Sequence, residues 1–149
     1  MRKPSPSDMD EIDLKIIEEL KNNCKISYKN LGEKVQMSTP TVYERTKKLE
    51  ERGIIQGYQA SINYAQLGYT IHALILVKVD NYTIGIPKFL DKIKEVHNFW
   101  IVSGEFSYVV EVYTQDIDEL NALVDRLYHR IGRTTLMLIL DGTKKSSLL

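Results

Sequence analysis

Apolar residues fall into two rhythms along this chain. In the first third they recur every three or four positions, and in the second half they come in short runs separated by amphipathic stretches. Ile12, Ile16, Ile17 and Leu20 predict a helix over residues 11–22. Asp10 is a candidate N-cap for it, with Asp13 three residues on, as in a capping box. Asn22-Asn23 ends that helix, and Ser27 can cap a second, short one carrying Leu31 and Val35. After a turn at Gln36-Met37, Ser38 can cap a third helix. Pro40 stands in its first turn, where a missing N–H costs nothing. Val42, Thr46 and Leu49 mark its inner stripe, and Gly53 stops it. Ile54, Ile55, Tyr58, Ala60 and Ile62 predict a short pair of strands, a wing, turning at Gln56-Gly57. Three short helices with a tight turn between the last two make a helix-turn-helix.

The second half reads β-α-β-β-α-β. Strands are expected over 71–79, 99–103, 108–114 and 134–140, with helices over 84–96 and 117–131. That order is the ferredoxin-like arrangement. Ala73, Ile75 and Val77 alternate with Leu74 and Leu76, so this strand is apolar on both faces. Strands of that kind are buried on both faces, and two helices cover only one. A homodimer through this half is the expected cover. The fold class is therefore α+β: an N-terminal winged helix-turn-helix followed by a ferredoxin-like βαββαβ domain. Residues 1–7 are read as a flexible tail, 8–60 as the helix-turn-helix domain, 61–68 as a linker, 69–142 as the dimerisation and effector domain, and 143–149 as a second tail.

Composition adds exclusions. Among 149 residues, 20 basic and 20 acidic side chains cancel, which argues against a purely electrostatic nucleic-acid coat. Within the first half, however, charge is sorted. Residues 8–19 hold six acids against Lys15, whereas residues 25–48 hold six basic side chains against Glu33 and Glu44. A basic segment beside an acidic helix is a local field that can meet phosphate. No apolar run is long enough to span a membrane, and Arg2-Lys3 are followed by no apolar stretch of the kind a secretory signal needs. A single cysteine, Cys24, gives neither an intrachain disulfide nor a thiolate cluster. A cytoplasmic location is expected. His72, His97 and His129 are scattered without partners at ligand spacing, so neither a metal, a cofactor nor a catalytic role is expected of them. Glu105 and Glu111 could be imagined as an acid–base pair, but an exposed hairpin is the simpler reading. The chain is expected not to be an enzyme.

On the third helix, turning about 100° per residue, Tyr43, Glu44, Lys47 and Lys48 point away from the inner stripe, and Thr41 lies at its flank. Recognition helices contact bases mainly through their N-terminal part. Thr39, Thr41, Tyr43 and Glu44 are therefore candidate base readers, and Lys47 and Lys48 candidate phosphate contacts. Arg45 lies about 60° off the inner stripe. It can reach phosphate or brace the acidic first helix through Asp10 or Asp13, and the brace is favoured. Ser27 and Ser38 are read first as caps whose helix starts can also meet phosphate. Lys25 and Lys29 are further phosphate candidates.

Together these residues carry a likeness. Asp10, Asp13, Ile16-Ile17 and Leu20 lead into Ile26-Ser27 and Leu31-Gly32. Then follow Ser38, Val42, Arg45, Leu49-Glu50, Gly53-Ile54-Ile55, Gly57-Tyr58 and Leu67-Gly68. Over residues 8–142 the chain resembles the Lrp/AsnC (leucine-responsive, feast/famine) family of transcription regulators. The resemblance implies a cytoplasmic, sequence-specific regulator that binds double-stranded DNA through its first half. It also implies a second half that dimerises, assembles dimers into tetramers or octamers, and in many members binds an amino acid. By the same resemblance the turn at Gly104, Glu105, Phe106 and Ser107 contributes to the effector pocket. The chain departs from the family at Gln36, where glycine is usual, so a different backbone is expected there. It departs again at Ser107, where the family pattern has aspartate; losing that carboxylate leaves open a different effector or none. The alternatives are an architectural protein that bends or wraps DNA without an effector, a metabolite-binding module, and a helix-turn-helix kept only for protein contacts.

Overall fold

The computed structural model describes residues 9–79 and 85–140. The chain divides into two compact units, one ending at Ser61 and the other beginning at Ile62.

The first unit is three helices: α1 (Glu11–Asn22), α2 (Tyr28–Val35) and α3 (Thr39–Glu51). Each start is fixed by a side chain. Asp10 accepts the Asp13 N–H at 2.9 Å while Asp13 accepts the Asp10 N–H at 3.4 Å, closing the capping box. Ser27 accepts the N–H of Asn30 and Ser38 that of Thr41. Ile16, Leu20, Leu31, Val35, Val42 and Leu49 form the core. Thr46 is fully buried with them, its hydroxyl donating to the Val42 carbonyl at 2.8 Å. α2 and α3 meet closely at Gly32, where a β-carbon would stand 2.7 Å from the Met37 carbonyl oxygen. Gln36 takes the left-handed conformation itself (φ 58°), so the turn keeps the backbone a glycine would give and the expected difference does not arise.

The wing strands do not form: residues 56–63 pair with no strand among the described residues. This segment is held by side chains instead. The Tyr58 hydroxyl donates to Glu50 at 2.7 Å, and the Cys24 sulfur lies 3.9 Å from the Gln59 carbonyl.

The second unit opens with a 3₁₀ turn, Tyr64–Leu67, capped by Asn63. There follow β1 (Ile71–Lys78), α4 (Ile86–Leu90), β2 (Val96–Ile101), β3 (Tyr108–Thr114), α5 (Ile117–Arg130) and β4 (Arg133–Leu138). The four strands form one antiparallel sheet in the order β2-β3-β1-β4, as the ferredoxin-like reading requires. Ala73, Ile75, Val77, Val110 and Val112 point from the sheet into a core closed by Leu90, Leu120, Leu123 and Leu127. The helix expected over 84–96 is shorter, and its start at Ile84 lies outside the described residues. Ile93 and Val96 do reach the core, but from a turn and from β2. β2 and β4 also run earlier along the chain than expected. Gly132 joins α5 to β4 with φ 155°, and a β-carbon there would stand 2.2 Å from the Lys78 carbonyl oxygen.

Candidate nucleic-acid interface and ligand-binding half

α3 presents the outer face the sequence assigns to it. Thr39, Tyr43, Glu44, Lys47 and Lys48 are exposed and Thr41 is half-buried at the flank. The Ser38 and Thr41 hydroxyls lie 2.7 Å apart, so the cap ties both side chains to the helix start. Lys25, Ser27 and Lys29 are exposed around the start of α2. The N–H groups at each helix start that neither the helix nor the cap serine satisfies leave a partial positive charge there.

Arg45 does not join that face. Its guanidinium donates to Asp10 and to Asp13, both at 2.8 Å, and so ties α3 to the capped start of α1. The N–H of Asp13, and then the Arg45 guanidinium, hold the Asp10 carboxyl below its ordinary range. Lys34 pairs with Glu19 on α1, and Lys47 lies 3.8 Å from Glu51 one turn on. Two of the six basic side chains in residues 25–48 are thus turned toward α1. Lys25, Lys29 and Lys48 make no ion pair among the described residues.

The sheet of the second unit has one face covered by α4 and α5. The other carries His72, Leu74, Leu76, Val109, Glu111, Tyr113, Asn98, Trp100 and Met137, as the registers require. Trp100 is 48% exposed and Met137 49%. Within this apolar face the structure assembles a polar cluster that sequence reading missed. His72 Nε2 lies 2.9 Å from Glu111, and Asn98 donates to the same carboxylate at 3.1 Å. The Tyr113 ring stacks on His72 and on Tyr64, 4.2 Å from each. His97 meets both tyrosines edge-on and lies 3.2 Å from the Tyr64 hydroxyl. His72 and His97 therefore have partners in this cluster, and Glu111 belongs to it instead of standing beside Glu105 in a hairpin. No group of three His, Cys, Asp or Glu among the described residues could hold a metal ion.

Gly104 and Glu105 are exposed in the β2–β3 turn, and Phe106 and Ser107 are half-buried. Gly104 has φ 133°, so the turn itself calls for glycine. Ser107 is occupied internally: its N–H donates to the Val77 carbonyl at 2.9 Å and its hydroxyl accepts the Val79 N–H at 3.3 Å. The serine thus serves the junction with β1, and Glu105 is the carboxylate left in the turn.

Comparison with known proteins matches both units. Residues 9–56 fit the model of a winged helix-turn-helix DNA-binding domain, and residues 72–149 that of an Lrp/AsnC ligand binding domain. The chain belongs to the Lrp/AsnC family of transcription regulators. It is similar to the transcriptional regulator FL11 of Pyrococcus furiosus, 32% identical over 93% of this chain and 94% of that protein. LrpA of Bacillus subtilis is 35% identical over 76% of this chain and 90% of its own length. Among solved structures, a feast or famine regulatory protein of Mycobacterium tuberculosis, complexed with L-methionine, superposes with a TM-score of 0.83. It is 28% identical and covered over 95% of its chain, matching 91% of this one. This Lrp/AsnC member is accordingly a helix-turn-helix transcriptional regulator, and its relatives carry no enzyme names. No helix among the described residues is long and apolar enough to cross a membrane.

Proposed function

We propose that this regulator reads DNA with α3 laid in the major groove. Thr39, Thr41, Tyr43 and Glu44 face base edges. Lys47, Lys48, Lys25, Lys29 and the helix starts at Ser27 and Ser38 hold phosphates. Arg45 braces α1 and does not touch DNA. The single observation that carries this reading is the exposed N-terminal half of α3, capped by Ser38 and flanked by exposed lysines.

The working form is a homodimer that buries the open sheet face. Support comes from Trp100 and Met137, exposed apolar side chains on that face, beside the half-buried Leu74, Leu76 and Val109; exposed apolar patches mark interaction surfaces. Two copies set two α3 helices about one helical turn of DNA apart, or a multiple of it, and dimers can build tetramers or octamers. The effector is an amino acid held partly by the turn from Gly104 to Ser107, with Glu105 as its available carboxylate. That reading is supported by the match to a ligand binding domain and by the relative that binds L-methionine. The protein works in the cytoplasm and catalyses no reaction.

The test is binding to the DNA upstream of its own gene against a scrambled duplex of equal length, near physiological salt, with and without a mixture of amino acids. A preference of about a thousandfold is expected, with a shift on adding the amino acids. Equal binding to both duplexes would point to an architectural protein, and no response to any amino acid would remove the effector.

A further inference from the structure

We infer that Tyr28, outside every exposed face considered so far, is a positioning residue for base recognition: it locks Tyr43 edge-on so that Tyr43 reads the methyl group of a thymine.

The two rings belong to different helices. Tyr28 is the first residue of α2, and Tyr43 stands in the middle of α3. Their centroids are 5.2 Å apart and their planes cross at 87°, an edge-to-face contact in the range aromatic pairs prefer. The two tyrosines are held very differently. Tyr28 is half-buried and packs on the core of the helical unit. Tyr43 is 47% exposed, the most open large hydrophobic side chain on α3. An exposed tyrosine on a helix ordinarily samples more than one rotamer, and fixing it on binding costs affinity. Here the contact with the Tyr28 ring removes that freedom before DNA arrives.

Tyr28 is itself held from behind. Burial, then the Glu50 carboxylate and the neighbouring Tyr43 phenol, keep its own phenol in the neutral form, and Glu50 is in turn anchored by the Tyr58 hydroxyl. The anchored ring is thus uncharged. Tyr43 shares its flank of α3 with Thr39 and Lys47, one turn to either side. A rigid apolar ring on that flank suits the C5-methyl of thymine, the one apolar feature that base edges offer in the major groove.

The proposal rests on α3 being the DNA-reading helix, and the experiment separates the two. Preferred sites are selected from a randomised duplex pool with the wild-type protein, and each enriched thymine is then replaced by deoxyuridine, which lacks only the methyl. One position is expected to lose about fourfold in affinity, the value of one buried methyl-sized group. Y43A, and Y28L, which keeps apolar bulk without a ring, should bind thymine and deoxyuridine duplexes equally. Y28F should behave as wild type throughout. A thermal melt of each variant checks that it folds. Wild-type indifference to the methyl at every position, or a Y28L protein that still senses it, overturns the proposal. A loss in Y28L that is equal on all duplexes overturns it too, because that is a structural effect. If Y43A, K47A and K48A all bind like wild type, α3 is not the reading helix and the broader assignment falls with it.

Discussion

The helical unit and the sheet unit bury their apolar residues by different means, and the difference separates their roles. Each helix of the first unit turns one stripe inward and covers the rest with charge. Its core is complete within the chain, and its exposed apolar residues are few. The sheet has two faces and only two helices. One face is dry, and the other offers Trp100, Met137 and their neighbours to whatever comes next. A helix can be finished by its own sequence, whereas an apolar sheet face needs a second surface.

The largest effect expected from breaking this division comes at Gly132. Gly132→Val puts a side chain where a carbonyl already stands at 2.2 Å. It should cost about 3 kcal/mol or more, read in denaturant as early unfolding of the sheet unit while the helical unit keeps its own transition. A single transition for both would show that the units stand or fall together. Next, Trp100→Glu or Met137→Glu should weaken self-association about thirtyfold or more, the scale of an interface hot spot, in sedimentation measurements. An unchanged mass would mean that the open face is covered in another way. For the helical unit, Lys47→Ala and Lys48→Ala should each flatten the salt dependence of DNA binding by about one unit of slope. Slopes that stay put would take those lysines out of the interface.

Arg45→Ala should lower the melting temperature by a few degrees and change its response to acid. The Asp10 carboxyl is held below its ordinary value in the folded chain. Its contribution is therefore present above that ordinary value and is lost as pH falls through the depressed one. Removing Arg45 should shrink this acid-side loss while leaving the neutral plateau parallel to wild type, as thermal melts across pH 2–6 would report. The smallest change is Gln36→Gly. Relief of a left-handed non-glycine residue should gain about 0.5–1 kcal/mol, offset in part by the entropy of glycine in the unfolded chain.

What was legible in the sequence follows the same division. Asp10, Ser27 and Ser38 announce three helix starts, because a cap is a contact between residues three apart and is written locally. The Arg45 brace was legible in part: helical phase set the side chain off the inner stripe and left phosphate and the acids of α1 both within reach, with the brace favoured. The helix over 84–96 was overdrawn because Ile93 and Val96 continue its apolar phase, although they enter the core from a turn and a strand; phase records which residues are buried and not how they arrive. The wing was lost for a related reason: alternation at Tyr58, Ala60 and Ile62 describes a segment able to pair, and pairing needs a neighbour that no described strand offers it. The cluster of His72, Glu111, Asn98 and Tyr113 was invisible because it depends on strand register. His72 and Glu111 are 39 residues apart, and a slip of one residue would send them to opposite faces.

The ties from Arg45 to Asp10 and Asp13, and from Lys34 to Glu19, hold an acidic helix beside a basic surface in a chain with no net charge. A molecule of this kind has little monopole attraction to a polyanion but a real dipole. The chromosome's field turns it before it pulls it. Such a molecule meets a polyanion with its basic surface already turned toward it.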